Sequence, residues 1–333
     1  AEFSVLTLND LGEKTLNETG IPYYYRDLPE GNWYLTGDFK PDATLRITGK
    51  VNLCLNGYSI IPTEGECVIR IDGSDTADLT LCDCSEAQSG KITTNLNGRG
   101  VSVTKGSLTM YGGAISGNTI SGSSVKGAGV YVAEGSSFTM TGGTVSGNTI
   151  SGTNVMGAGI CNNGTTTIGG SAVISENVLA NTDSSTVLHS KDGGGIYTNG
   201  TLIVEGNAKI INNQSPIVRN THGGGIFVSN GTVELRENAV VTGNQVGSYG
   251  AGICMYSGKL TVSDSVQVTD NEQVYDSNYK DTGNVYIFNG TAIPITVNGE
   301  LTDKACIGVR LDSTGVLSKV TLPVTIAEAA ENR

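Results

Sequence analysis

Residues 127–148, with the sequence GAGVYVAEGSSFTMTGGTVSGN, contain one copy of the repeat that decides the fold of this chain. The copy opens with a Gly-rich tetrapeptide ending in Val or Ile, runs through short stretches of alternating apolar and polar residues, and closes on an asparagine. Copies recur about every 30 residues, a period typical of stacked-repeat proteins. Their openings lie at residues 98–101, 127–130, 157–160, 193–196, 223–226 and 250–253, with a degenerate copy at 283–285.

The alternation inside each copy indicates strands rather than helices. In the middle stretch, Phe138 and Met140 point to one side and Thr139 and Thr141 to the other. Three short strands with one apolar face each cannot bury that face alone, but stacked copies can, with like residues above like residues. The sequence therefore predicts an all-β fold, a parallel β-helix with three strands per coil and about 30 residues per coil.

The closing asparagines occupy the corners of the predicted coils. Corners need positive φ angles, which Gly enters freely and Asn more readily than most residues. Stacked asparagines can also bond to one another along the stack, as in the amide ladders of cross-β structures. We therefore predict a structural ladder. Its members are Asn118, Asn148, Asn177, Asn213, Asn244 and Asn271.

The composition excludes several classes of partner. The chain has 47 Gly in 333 residues, only 16% charged residues and a net charge of −12. A surface of Ser, Thr, Asn and Gly is common in extracellular proteins, and the negative charge disfavours nucleic acid and anionic membranes. No apolar run approaches the about 18 residues that a membrane span needs. We expect an extracellular protein, without a nucleic-acid partner and without membrane insertion in this segment.

The seven cysteines do not form a recognisable metal motif. The Cys82-Asp83-Cys84 spacing is too tight for the usual zinc knuckle, and the chain has only two His. We expect no metal and no cofactor. Cys54 and Cys84 lie one repeat period apart, so they are either bridged or buried as small apolar residues. An odd count leaves at least one thiol free or paired between chains.

The repeat divides the chain into regions. Residues 1–32 lack the repeat and are interpreted as an N-terminal cap, because a bare coil end invites edge pairing. Residues 33–97 form irregular coils, 98–282 regular repeats and 283–326 closing coils. The polar tail 327–333 resembles a cut within a longer protein, so we expect a monomeric domain of a larger surface protein.

Three stretches carry a family resemblance: VNLCLNGYSI at 51–60, FTMTGGTVSGN at 138–148, and residues 284–311. They resemble the repeats of polymorphic outer-membrane proteins and, more closely, the adhesin-like β-helix surface proteins of Gram-positive gut bacteria. The resemblance implies a right-handed β-helix, in agreement with the general handedness of β-crossover connections. It also implies a secreted or wall-attached location, and it supplies no catalytic motif.

The strand after each Gly-rich opening carries a candidate binding ladder. Its outward positions include four aromatic residues, Tyr131, Tyr197, Phe227 and Tyr286, whose faces could stack on sugar rings. The alternative is that loops fold over these rings. The ladder lacks the charged clusters of pectate-lyase-like and polygalacturonase-like enzymes on this fold.

The segments between each closing Asn and the next opening vary most and emerge at one corner, where recognition commonly resides. The segments 178–192, 214–222 and 272–282 form a predicted rim, and the short segment 245–249 leaves a predicted notch. Candidate ligand-binding residues on the rim are His189, Asp192, Arg219 and His222. An acid/base pair could also come from these polar residues.

We therefore expect a non-enzymatic, adhesin-like binding module that recognises a glycan or a host surface glycoprotein through corner loops and the aromatic ladder. Two alternatives stay open. One is a carbohydrate-active enzyme, a polysaccharide lyase or glycoside hydrolase, with its site at the loop rim. The other is a structural spacer.

Overall fold

The computed structural model describes residues 2–17, 22–73, 76–180, 190–216, 220–274, 280–288 and 295–311. Within these ranges the chain winds into a stack of coils whose walls are three long sheets of 12, 11 and 9 strands. Nearly all neighbouring strands are parallel and come from successive coils. This confirms the predicted all-β parallel β-helix with three strands per coil.

Sheet 1 contains the strand that follows each Gly-rich opening. Val130 pairs with Val101 on one side and with Ile160 on the other, so equivalent residues of the repeat lie above one another. The strands of sheet 1 are Thr15–Asn17, Tyr23–Asp27, Thr44–Ile47, Cys67–Asp72, Arg99–Lys105, Val130–Val132, Ile160–Asn162, Ile196–Thr198, Ile226–Val228, Ile253–Met255, Val285–Ile287 and Val309–Leu311.

Sheet 2 contains the middle strands. Phe138 and Met140 are fully buried, while Thr139 between them is partly exposed, as the alternation predicts. The strands of sheet 2 are Ser4–Val5, Gly31–Tyr34, Lys50–Cys54, Asp78–Cys82, Ser107–Met110, Ser137–Met140, Thr165–Ile168, Thr201–Val204, Thr232–Leu235, Lys259–Asp264 and Ile295–Leu301.

Sheet 3 contains the strand before each closing asparagine, and it completes the triangular coil. Its inward residues, such as Ile115 and Val145, are fully buried in the central core. The strands of sheet 3 are Ser59–Ile60, Lys91–Ile92, Ala114–Ser116, Thr144–Ser146, Val173–Ser175, Lys209–Ile211, Val240–Thr242, Gln267–Thr269 and Cys306–Ile307.

The corner segments, which we expected to be loops, contain strands of their own. Most of them stack because consecutive segments start from the same corner, so their backbone groups meet equivalent groups one coil away. The exception is Lys280–Thr282, which pairs antiparallel with Glu272–Val274 of its own segment. Three small sheets result. Their strands are Thr119–Ser123, Thr149–Thr153 and Val178–Ala180, then Val155–Met156, Lys191–Asp192 and Thr221–His222, and finally Gln245–Val246, Glu272–Val274 and Lys280–Thr282.

The predicted asparagines form a continuous internal ladder. All six side chains are fully buried. In each step the backbone N and the Nδ2 of one Asn donate to Oδ1 of the next, for example from Asn148 to Asn177 at 3.1 and 2.9 Å. Asn284 continues the ladder after Asn271. The amides from Asn148 to Asn271 are thereby satisfied by neighbouring coils, whereas Oδ1 of Asn118, at the first step, accepts no hydrogen bond within the described ranges.

The N-terminal segment lies over one end of the stack. Strand Ser4–Val5 adds to the end of sheet 2, and Thr15–Asn17 pairs antiparallel with Tyr23–Asp27 at the end of sheet 1. A short 3-10 helix, Leu8–Asp10, connects them. Leu6 and Leu11 are buried in the central core. Strand Tyr23–Asp27, inside the segment interpreted as the cap, is already part of sheet 1.

Cysteine pairing follows one of the two alternatives left open by the sequence: Cys54 and Cys84 form a disulfide.

No helix in the described ranges is long and apolar enough to cross a membrane. The predicted closing coils beyond residue 311 and the tail 327–333 lie outside the described residues.

Candidate ligand-binding surface

The outward residues of sheet 1 form one column in register. Tyr131 pairs with Cys161, Cys161 with Tyr197, and Tyr197 with Phe227. Phe227 then pairs with Cys254, and Cys254 with Tyr286. The rings of Tyr197 and Phe227 stack with centroids 5.7 Å apart and an angle of 23° between their planes. We call this column the aromatic ladder, as distinct from the asparagine ladder in the interior.

Most of the aromatic ladder is covered. Tyr197, Phe227 and Tyr286 keep only 8%, 6% and 4% of their surface exposed, and Cys161 and Cys254 keep none. They form an apolar cluster outside the central core, with Tyr131, Met156 and Phe288 packed against it. Burial raises the pKa of the Cys161 thiol to about 12 and raises that of Tyr197. The buried rings therefore offer no open stacking face, as the alternative interpretation of the aromatic ladder expected.

A second column provides the cover. It consists of the residues immediately before the Gly-rich openings at 127, 157, 193, 223 and 250, and its members pair along the stack from coil to coil. These residues are Lys126, Met156, Asp192, His222 and Tyr249. A positive φ at the following glycine turns the chain back onto sheet 1. At Gly223, φ is +63°, and an added Cβ would lie 2.6 Å from the Ile226 carbonyl carbon.

Asp192 and His222, both predicted site residues, meet in this column. His222 Nδ1 lies 2.7 Å from Asp192 Oδ1, and the two side chains are 16% and 7% exposed. The Ser190 hydroxyl donates to the other carboxylate oxygen of Asp192. Because an ionised carboxylate only accepts hydrogen bonds, Nδ1 of His222 carries the proton of this hydrogen bond. The pair therefore presents an oriented imidazole at the edge of the aromatic ladder.

Around His222 the aromatic residues reach the surface. Tyr249 stacks on His222 with a centroid distance of 6.1 Å and an angle of 7°, and on Tyr286 beneath it at 4.5 Å. Tyr256 lies 5.6 Å from Phe288. Tyr249 and Tyr256 are 37% and 54% exposed. We call His222, Tyr249, Tyr256 and Phe288 the aromatic patch.

The structure thus selects among the predicted site residues. Asp192 and His222 come together, and the rings of Tyr197, Phe227 and Tyr286 lie beneath the surface. Tyr131 is only partly buried, and His189 and Arg219 lie outside the described residues. The segment 245–249, predicted to leave a notch, places Tyr249 on the patch. Sequence reasoning missed Tyr249, Tyr256 and Phe288. The available signal for Tyr249 was its position directly before a Gly-rich opening, which it shares with His222.

No family model, curated protein or solved structure matches this chain.

Proposed function

We propose that this chain is a glycan-binding module and that the aromatic patch is its binding surface. The observation that carries the proposal is the grouping of exposed Tyr249 and Tyr256 with His222 on a surface otherwise rich in Ser, Thr, Asn and Gly. Sugar rings present one apolar C–H face and several hydroxyl groups. A patch of aromatic faces beside polar atoms is complementary to that chemistry.

The packing beneath the patch supports the same function. Tyr249 rests on buried Tyr286, and Tyr256 lies 6.4 Å from buried Phe227. These supports hold the exposed rings in place before a ligand arrives, which reduces the ordering cost of binding. Hydroxyl groups of the tyrosines and Nε2 of His222 supply hydrogen-bonding atoms at the rim. The patch is therefore a preformed surface.

The strength of such a site fits a module that acts in many copies. One ring stacked on a ligand contributes about 0.5–1.5 kcal/mol. Affinity per site would be low, and useful attachment would come from multivalency on a cell surface. An adhesin-like role toward a glycan or a host surface glycoprotein meets this condition. The Cys54–Cys84 disulfide supports an extracellular location, because disulfides persist in oxidising compartments.

The test is a glycan array followed by titration of the best ligand. Tyr256→Ala should weaken binding about 2- to 12-fold, the loss expected for one stacked ring. The matched control is Tyr111→Ala, since Tyr111 is equally exposed, at 58%, and takes no part in the patch. Equal binding by both variants would place the ligand elsewhere, and an array without any ligand would favour the spacer alternative.

One observation favours the enzyme alternative. An imidazole oriented by a buried carboxylate, as in His222 with Asp192, is the arrangement of a general acid or base. Turnover of an acidic or neutral polysaccharide by the parent, lost in His222→Gln, would identify a carbohydrate-active enzyme. Binding without turnover supports the module.

A further inference from the structure

Three cysteine sulfur atoms gather at one corner of the stack, away from the aromatic patch. Cys54 and Cys84 form a disulfide, and the Cys82 thiol is free. The sulfur atoms of all three residues lie within 4.8 Å of one another. A free thiol this close to a disulfide is a potential nucleophile toward it.

The fold holds these residues together. Cys54 and Cys82 end adjacent strands of sheet 2 and are direct partners in the parallel pairing. The backbone N of Cys84 donates to Cys54 Sγ at 3.2 Å. Between the two later cysteines, buried Asp83 accepts bonds from the backbone N–H groups of Gly57 and Gly90 at 2.8 and 2.6 Å. The turn that carries Cys84 is therefore fixed beside the other two sulfurs.

We propose that Cys54, Cys82 and Cys84 form a thiol–disulfide exchange site. The Cys82 thiolate attacks Cys54 Sγ and forms a Cys54–Cys82 disulfide. The Cys54–Cys84 bond breaks, and its electron pair goes to Cys84 Sγ. Cys82 loses a proton and Cys84 gains one, so the exchange needs no oxidant or reductant.

Exchange moves the free thiol from a partly buried cysteine to an exposed one. Cys54 is buried, Cys82 is partly buried and Cys84 is exposed. Burial and the nearby Asp83 raise the pKa of the Cys82 thiol, which keeps it mostly protonated near neutral pH. After exchange the free thiol belongs to exposed Cys84. This thiol can attack a low-molecular-weight disulfide RSSR, forming Cys84–S–S–R and releasing RS⁻.

The first experiment maps which thiol is free. The whole chain is incubated at pH 8.5 without reductant, quenched with acid and unfolded. Free thiols are then blocked with N-ethylmaleimide, and the remaining cysteines are reduced and carbamidomethylated. Tandem mass spectrometry should find the maleimide on Cys82 in some molecules and on Cys84 in others, with Cys54 always carbamidomethylated. Exposed Cys306 is the internal standard for labelling.

Two variants separate exchange from simple proximity. Cys84→Ser, treated with oxidised glutathione as the oxidant, should form a disulfide between Cys54 and Cys82, and Cys82→Ser should leave no maleimide on Cys54 or Cys84. Cystamine should add its half-molecule to Cys84 in the parent and not in Cys82→Ser. Maleimide confined to Cys82 at all times, or two free thiols in Cys84→Ser, would overturn the proposal. An adduct found only on Cys82 would overturn it as well.

Discussion

Replacing Asn148 with Ala tests whether the asparagine ladder holds neighbouring coils together. The side chain is fully buried. Its Oδ1 accepts bonds from the backbone N and the Nδ2 of Asn118 at 3.1 and 2.9 Å. Its Nδ2 donates to the Ile115 carbonyl at 3.0 Å and to Asn177 Oδ1 at 2.9 Å. The substitution removes all four bonds and touches both adjacent coils.

The cost follows from which groups lose their partners. The backbone N–H of Asn118 loses its acceptor in the ladder, and an unsatisfied buried donor costs about 1–3 kcal/mol. The Ile115 carbonyl loses a hydrogen bond with a net contribution of about 1 kcal/mol. Asn177 Oδ1 still accepts the hydrogen bond from the backbone N of residue 148, so it contributes little to the loss of stability. We expect the free energy of unfolding to fall by about 2–4 kcal/mol.

Urea unfolding, followed by circular dichroism, measures this change against two references. Asn238→Ala is the surface control. Asn238 is exposed, and among the described residues its side-chain amide bonds only to Asn207, so the change should stay within about 0.5 kcal/mol. Asn118→Ala is the internal reference. Within the described ranges Asn118 Oδ1 accepts no hydrogen bond. Asn118→Ala therefore leaves no backbone N–H of the asparagine ladder without an acceptor, and it should lower the free energy of unfolding by less than Asn148→Ala.

Two results would refute this reasoning. If Asn148→Ala and Asn238→Ala have the same free energy of unfolding, the asparagine ladder contributes no stability. If Asn118→Ala and Asn148→Ala lose the same free energy, the orphaned N–H is not the source of the loss.

Two further changes test the corners of the coils. Burial acts to raise the pKa of Asp83, but hydrogen bonds from backbone N–H groups outweigh it and lower the pKa. The carboxylate therefore stabilises the fold above the unfolded-state pKa of about 3.9, and this stabilisation is lost as pH falls through the folded-state value. Asp83→Asn should lower the urea midpoint at pH 7 and lower it less at pH 3, and equal losses at the two pH values would contradict this. Gly152→Ala places a Cβ against the Gly122 carbonyl at φ +128°, whereas Gly147 at φ +62° has open space around it. Gly152→Ala should therefore cost clearly more than the about 1–2 kcal/mol of Gly147→Ala, and the reverse order of urea midpoints would contradict the assigned packing.

The coil and its interior could be predicted from local patterns. Alternation around Phe138 and Met140 identified a strand and its inward face, and the spacing of Asn118 and Asn148 identified equivalent corners. In a parallel stack the neighbours of a residue are its own equivalents one period away. Register and ladder therefore follow directly from the repeat.

The candidate site could be predicted only in part. Aromatic residues at the ladder positions of Tyr197 and Phe227 were recognised, but the residues that cover them were not. The covering position holds Lys, Met, Asp, His and Tyr in successive coils, so it has no chemical pattern to detect. The corner segments also differ in length, which hides their common register.

By itself, the sequence determined the period, the three strands of each coil and the inward-facing residues, because these depend on spacing within one repeat. Only the tertiary structure decided that Tyr197 is buried, that Tyr249 and Tyr256 form the exposed surface, and that Asp192 meets His222. Those outcomes depend on how corner segments of unequal length fold back onto sheet 1. The physical reason is that burial of an outward side chain is set by the segment that covers it, and the repeat does not specify that segment.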